Sequence, residues 1–275
     1  MRHIKYQAQI APTQLRRFRR AMLKFYRSEG RDLPWRRTRD PYAILVSEIL
    51  LHQTTVASVE PVYEVFMAQF PTVEALASAE LDAVKAITDP LGYKIRGMWL
   101  WKIARRVAAT HRGRMPHTLA TLMDLPGVGR YTAGAVMSFA YGRRAGVLDT
   151  NVSRVLGRFF QLPADGTAER QHQLWALAEA IVPVRQVWQF NQGIMDFGAL
   201  CCRARQPQCP RCLLARHCPA AEGRAPRAAD GSPSGVWFWD APRRQVSSDG
   251  ARVKPPATTM PGPRGKSAPP ANASI

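Results

Sequence analysis

All five cysteines of this 275-residue chain fall between positions 201 and 218. A disulfide framework spreads its cysteines to staple distant segments, so crowding of this kind reads as a metal or metal-cluster site. The spacing Cys202-x6-Cys209-x2-Cys212-x5-Cys218 lets four thiolates wrap one centre, which forces the loop to fold back on itself. Structural zinc sites usually show two close cysteine pairs, whereas here one close pair stands between unequal outer spacings. Four cysteines equally suit a [4Fe–4S] cluster, and the ligand count alone leaves both open. Cys201 is left over and reads as a small packing residue or an inert thiol. Arg203, Arg205, Arg211 and Arg216 stud the same loop, the pattern of a basic loop shaped by its centre rather than of a redox carrier.

Upstream of that loop the chain reads as helix after helix. Ile95, Trp99, Ile103 and Val107 recur every four residues, among Lys94, Arg96, Lys102, Arg105 and Arg106, which predicts an amphipathic helix with a basic outer side. Asp40-Pro41 is a helix start, an N-cap followed by proline at the first helical position. Further helices are expected over Thr118 to Met123, Tyr131 to Tyr141, Asn151 to Phe160, Ala168 to Val182 and Gln186 to Leu200. No stretch alternates with period two for long, so the expected class is all-α. Composition shifts near residue 220: residues 221–275 hold nine of the 22 prolines and are poor in large apolar residues outside 236–239. The expected organisation is one folded domain over 1–219, with the cysteine loop at 202–218, and a disordered, basic Pro/Ala/Gly-rich tail over 220–275.

Charge narrows the partner. Thirty-nine Lys and Arg against 20 Asp and Glu give a formal +19 and a sequence pI near 10.7, which favours a polyanion, nucleic acid ahead of a membrane surface. No window is long and apolar enough to span a bilayer, and the N-terminal stretch lacks the apolar core of a secretory leader. The expectation is a cytoplasmic protein without a membrane role.

Two constellations carry chemistry. Leu125-Pro126-Gly127-Val128-Gly129-Arg130 lies between two expected helices; its glycines allow a tight turn, and bare N–H groups at the following helix N-terminus can meet a phosphate. An ordinary helix–helix turn would look similar in isolation; the basic charge of the domain favours phosphate. The second constellation is a pair of isolated acids. Glu48 stands alone in the apolar run Val46-Ser47-Glu48-Ile49-Leu50, where a carboxylate needs a compensating reason and burial raises its pKa. Asp149 precedes a helix and reads first as an N-cap.

Together the cysteine spacing, the LPGVGRYTAGAV segment and the run RDLPWRRTRDPYAILVSEILLHQTTV over residues 31–56 resemble the helix–hairpin–helix DNA glycosylases with an iron–sulfur loop, the endonuclease III and MutY superfamily. The resemblance covers roughly residues 30–219. It implies two helical lobes, a six-helix bundle with the hairpin and a cluster-bearing lobe built from N- and C-terminal segments, with the active site in the cleft between them. It implies a [4Fe–4S] cluster on Cys202, Cys209, Cys212 and Cys218, and Glu48 and Asp149 as catalytic acids. Gln53 and His52 match residues that fill the gap left by an extruded base, and Tyr93 would be a second wedge. The hairpin Gly127, Val128, Gly129 and Arg130, with Arg203 and Arg205, would contact DNA.

Bifunctional members of that superfamily place a lysine after the hairpin as amine nucleophile; here Tyr131 stands, which cannot form a Schiff base. The resemblance therefore implies a monofunctional glycosylase acting as a monomer on nucleoid DNA that carries a mismatched or damaged base. Thymine or uracil opposite guanine is the preferred substrate. Against the adenine branch, His52-Gln53 replaces a typical Gln-Gln, Lys94 a second Tyr, and Thr150 a frequent Gly; the thymine-mismatch members also end soon after the last cluster cysteine and share the Thr54-Thr55 pair. Adenine opposite guanine or 8-oxoguanine is the alternative, and a non-catalytic iron–sulfur DNA-binding module the remote one.

Overall fold

A computed structural model describes residues 10–162 and 166–221. The expected tail, with its aromatic patch at 236–239, lies outside those residues apart from its first two positions. Contacts divide the chain into Met1–Ala241 and Pro242–Ile275, and every described residue belongs to the first unit. Among the described residues the regular structure is entirely helical. In chain order the α-helices are α1 Pro12–Glu29, α2 Pro41–Leu50, α3 Val56–Gln69, α4 Val73–Ala77, α5 Leu81–Thr88, α6 Ile95–His111, α7 Leu119–Met123, α8 Arg130–Phe139, α9 Thr150–Phe160, α10 Ala168–Ile181 and α11 Val187–Asp196. No helix is long and apolar enough to cross a membrane, among the described residues.

Local chemistry sets most of the starts. Asp40 caps α2, accepting from Tyr42 N and Ala43 N, with Pro41 at the first helical position. Threonines do the same elsewhere: Thr55, Thr72, Thr118 and Thr167 cap α3, α4, α7 and α10, each accepting the N–H three residues on. Such a cap stabilises a helix by about 1 kcal/mol.

Helix α2 is buried over nine of its ten residues, Tyr42 through Leu50. A helix apolar on every side must be wrapped by others, and α3, α6 and α8 pack on it. Around it, α4 and α5 pack on α6, and α7 on α8. A second set forms where α1 packs on α11 and α9 on α10 and α11. Helix α8 belongs to both sets, meeting α2 and α7 in one direction and α11 in the other.

Three expectations shift. The buried stripe of α6 is Arg96, Gly97, Leu100, Ile103, Ala104 and Val107; Ile95 is exposed, and Arg96, expected on the basic outer side, is fully buried. The guanidinium goes inward because its Nη2 donates to the His52 carbonyl. The helix expected from Gln186 to Leu200 is α-helical only over Val187–Asp196 and then widens into a π turn at Phe197–Cys201, delivering the chain to the cysteine loop. Helix α8 starts at Arg130 and ends at Phe139, two residues short of the expected end.

Candidate active site and cysteine pocket

Glu48 lies on the last turn of α2, 3 % exposed, and its Oε2 has no hydrogen-bond partner. Burial pushes its pKa up to about 7; the adjacent Tyr131 hydroxyl and, more weakly, the Arg36 guanidinium pull down, while the Asp149 charge pushes up. Tyr131, in the first turn of α8, carries a hydroxyl held well above its ordinary pKa by burial and by the two carboxyl groups, so it is a neutral donor at any physiological pH. Asp149 caps α9 with a 2.6 Å bond from Val152 N. Burial also raises its pKa, against the hydrogen bonds from Val152 and Asn151. The cap reading of Asp149 is thus correct, and the same side chain faces Glu48 and Tyr131. Residues from two helices and the cap of a third therefore share one poorly solvated spot, with one carboxyl group titrating near neutrality.

Asp149 is tied onward. Asn151 Nδ2 donates to its Oδ2 at 3.2 Å, Arg154 Nη2 donates to Asn151 Oδ1 at 2.7 Å, and Arg154 Nε donates to the Cys202 carbonyl at 2.8 Å. Arg36, 8 % exposed, makes a paired contact with Asp196, its Nη1 and Nη2 donating at 2.7 and 2.9 Å. Burial alone would raise the Asp196 pKa, but Arg36 and Arg31 hold it below its ordinary value. None of Asn151, Arg154, Arg36 and Asp196 stands out in the sequence, because a polar side chain on a helix or in a basic run looks solvated.

The hairpin turns as expected. Gly127 has φ +72° and Val128 N donates to the Leu125 carbonyl at 3.1 Å. Val128 is buried while Gly129 is exposed, with nothing within 4 Å of where a Cβ would sit. No side chain caps α8, so its first-turn N–H groups are offered to an anion. Arg130 is placed elsewhere: its guanidinium pairs with Glu179, lies 4.3 Å over the Trp175 ring, and lines a separate cavity of about 430 Å³.

His52 and Gln53 follow α2 directly. His52 Nε2 lies 3.3 Å from Thr132 Oγ1, and burial, then the Arg96 charge, lowers its pKa, favouring the neutral ring. Gln53 is exposed in the left-handed region at φ +53°, a strained conformation for a residue with a Cβ. Tyr93 is half-buried, edge-on to Trp99 at 5.7 Å.

Cys202, Cys209, Cys212 and Cys218 line one cavity of about 200 Å³ whose walls include Val155, Phe159, Phe197 and Leu214. Donors point at sulfur, among them Arg158 Nη1 to Cys202 Sγ at 3.6 Å and Leu214 N to Cys212 Sγ at 3.4 Å. Among the described residues no three His, Cys, Asp or Glu side chains converge on a single-ion site. An apolar room with four sulfurs on its wall and N–H groups aimed at them fits a multi-atom cluster. Cys201 also lines this cavity, 7 % exposed, and its thiol donates to the Gln208 carbonyl at 3.9 Å. Arg203 and Arg205 sit on the loop, with the Arg203 carbonyl accepting from Arg158 at 2.7 Å.

Residues 46–180 match the HhH-GPD superfamily of base excision DNA repair proteins. The chain is 43% identical over 213 residues to adenine DNA glycosylase of Homo sapiens, covering 74% of this chain and 39% of that protein. It is 37% identical over 198 residues to thymine/uracil-DNA glycosylase of Methanothermobacter thermautotrophicus, covering 72% of this chain and 90% of that one. Its fold superposes on the structure of a thermostable thymine-DNA glycosylase with a TM-score of 0.73, at 35% identity and over 77% of this chain and 98% of that one. The chain belongs to the HhH-GPD superfamily of base excision DNA repair proteins. It spans about two fifths of the mammalian adenine DNA glycosylases it matches.

Proposed function

We propose that this protein is a monofunctional DNA glycosylase that hydrolyses the N-glycosidic bond of a mismatched base in duplex DNA. The observation that carries the reading is the buried Glu48 carboxyl, titrating near 7 beside Tyr131 and Asp149. Glu48 also lies on α2, which packs against the hairpin helix α8, and this supports the reading.

In this reading the N–H groups at the start of α8 and the basic cysteine loop hold phosphates, and the target nucleotide leaves the stack at a cost of a few kcal/mol, least for a mismatch. Gln53, exposed and strained, fills the gap with His52 behind it and Tyr93 opposite. Glu48 delivers its proton to the departing base. The sugar gains positive charge at C1′, which the Asp149 carboxylate stabilises. Water then adds at C1′, and its proton passes to a carboxylate, leaving an abasic site. Tyr131 provides no amine, so no imine forms and the strand stays intact. Cys202, Cys209, Cys212 and Cys218 would hold a [4Fe–4S] cluster, which supplies a fixed centre around which the basic loop folds.

Thymine or uracil opposite guanine is the preferred substrate. His52, Lys94 and Thr150 stand where the adenine branch typically carries other residues, and the match to the thymine/uracil-DNA glycosylase of Methanothermobacter thermautotrophicus runs along 90% of that protein. The 43% identity to human adenine DNA glycosylase favours adenine as the second reading. The deciding experiment offers labelled duplexes carrying T·G, U·G, A·G or A·8-oxoguanine, each with and without hot alkali. Alkali-dependent cleavage of T·G and U·G alone is expected. Cleavage confined to the adenine duplexes would reverse the order, and none on any duplex would remove the glycosylase reading.

A further inference from the structure

Trp99 touches three loops that the proposed function sends to DNA, and each contact is with a different loop. A Cβ placed on Gly127 would lie 2.3 Å from Trp99 Cδ2, so the indole packs directly under the hairpin. The His52 ring stands edge-on to the indole at 5.8 Å and 80°. The Tyr93 ring stands edge-on to it at 5.7 Å and 72°. The neighbouring Arg96 reinforces the arrangement from below: fully buried, it donates to the His52 carbonyl, one residue before the left-handed Gln53, and its guanidinium lies 5.7 Å from the Tyr93 ring centre. Thr132, on α8 just past the hairpin, meets His52 a second time. A tryptophan serving only the core would spend its ring on helices, whereas this one is half-buried and spends it on loops.

The geometry points to Trp99 as a positioning residue that registers the phosphate-binding hairpin with the base-displacing pair Gln53 and Tyr93, so that gripping the backbone and filling the vacated stack occur in one fixed relation. This inference rests on the glycosylase reading above. The ring is rigid and shared, so a shift of the hairpin cannot leave the wedge loops where they were. Misplacement of a reacting group by about 1 Å costs on the order of a hundredfold in rate, so a shared spacer of this kind has measurable worth without touching the substrate.

The test is a double-mutant cycle between Trp99→Ala and Gln53→Ala, with Trp99→Phe as the conservative variant. The probe is a duplex with 2-aminopurine beside a T·G mismatch, whose fluorescence reports extrusion of the target base; affinity for undamaged duplex and the thermal midpoint are measured alongside. Trp99→Ala should slow extrusion about tenfold or more while changing affinity less than about threefold, and Trp99→Phe should recover most of the loss. In the Gln53→Ala background Trp99→Ala should add less than about twofold, because both changes disable the same wedge. Effects that multiply independently, or equal losses in extrusion and affinity with a lowered midpoint in both Trp99 variants, would overturn the inference. A wild-type protein that extrudes the base yet releases none from any duplex would overturn the glycosylase reading instead, with the cycle still readable.

Discussion

Asn151 holds Asp149 in place: its Nδ2 donates to Asp149 Oδ2 at 3.2 Å while its own Oδ1 receives Arg154 at 2.7 Å. Asp149 is therefore oriented from the side by an amide as well as from the backbone by Val152 N. Asn151→Leu removes the lateral donor and keeps the cap. Partners that orient a reactive group are commonly worth 10–100-fold, a range drawn from roughly comparable metal-ligand supports. Base release in single turnover should fall by about that factor, with duplex affinity within about threefold of wild type.

Glu48 gives a pH signature in both rate and stability. As the general acid it must be protonated, so base release should be flat below about 7 and decline above it. The folded pKa lies above the unfolded value of 4.5, so the native state binds more protons and stability falls as pH rises between 4.5 and about 7. The loss is complete above about 7 and amounts to about 3 kcal/mol from a shift of this size. Glu48→Gln should therefore abolish turnover while raising the thermal midpoint more at pH 8 than at pH 5. A midpoint gain independent of pH would show that the carboxyl titrates at the same pH in the folded and unfolded protein, so that burial does not raise its pKa.

Four of the five cavity cysteines should behave alike. Cys202→Ser, Cys209→Ser, Cys212→Ser and Cys218→Ser should each lose iron and visible absorption in protein prepared anaerobically, whereas Cys201→Ala should keep both. Stoichiometric zinc in place of iron would refute the cluster assignment.

Tyr131→Lys tests the absence of an amine. Wild type should leave product strands uncut until alkali is added, and borohydride should trap no protein–DNA adduct. The lysine variant should gain a trappable imine, since the new amine would start from the spot where the Tyr131 hydroxyl meets Glu48. Trapping by wild type would contradict the monofunctional reading.

What could be read ahead of the structure is what depends on neighbours in sequence. Asp40-Pro41 and the glycine hairpin are local chemistry, and both sit where the residues place them. Glu48 was legible as a charge with no polar company. The Asp149–Asn151–Arg154–Cys202 chain was not, because its last link joins residues 48 positions apart and its middle members pass for the exposed start of a helix. Arg96 misled most: a basic residue beside Lys94 and Arg105 looks solvated, and only the His52 carbonyl, 44 positions away, explains why it turns inward. The π turn at Phe197–Cys201 leaves no mark on a helical pattern, since one widened turn changes the spacing by a single residue.

Five arginines, Arg36, Arg96, Arg154, Arg158 and Arg170, are buried among the described residues. Arg36, Arg96, Arg154 and Arg158 donate to carbonyls, and Arg36 also to a carboxylate. These cations displace no counterions from a polyelectrolyte, because they never reach it. The dependence of affinity on salt counts the phosphates actually neutralised, at a slope of roughly 0.9 per contact on duplex DNA. The slope measured for this protein should therefore fall short of its formal +19, and these five of its 39 basic residues are better understood as internal scaffolding than as attraction for the double helix.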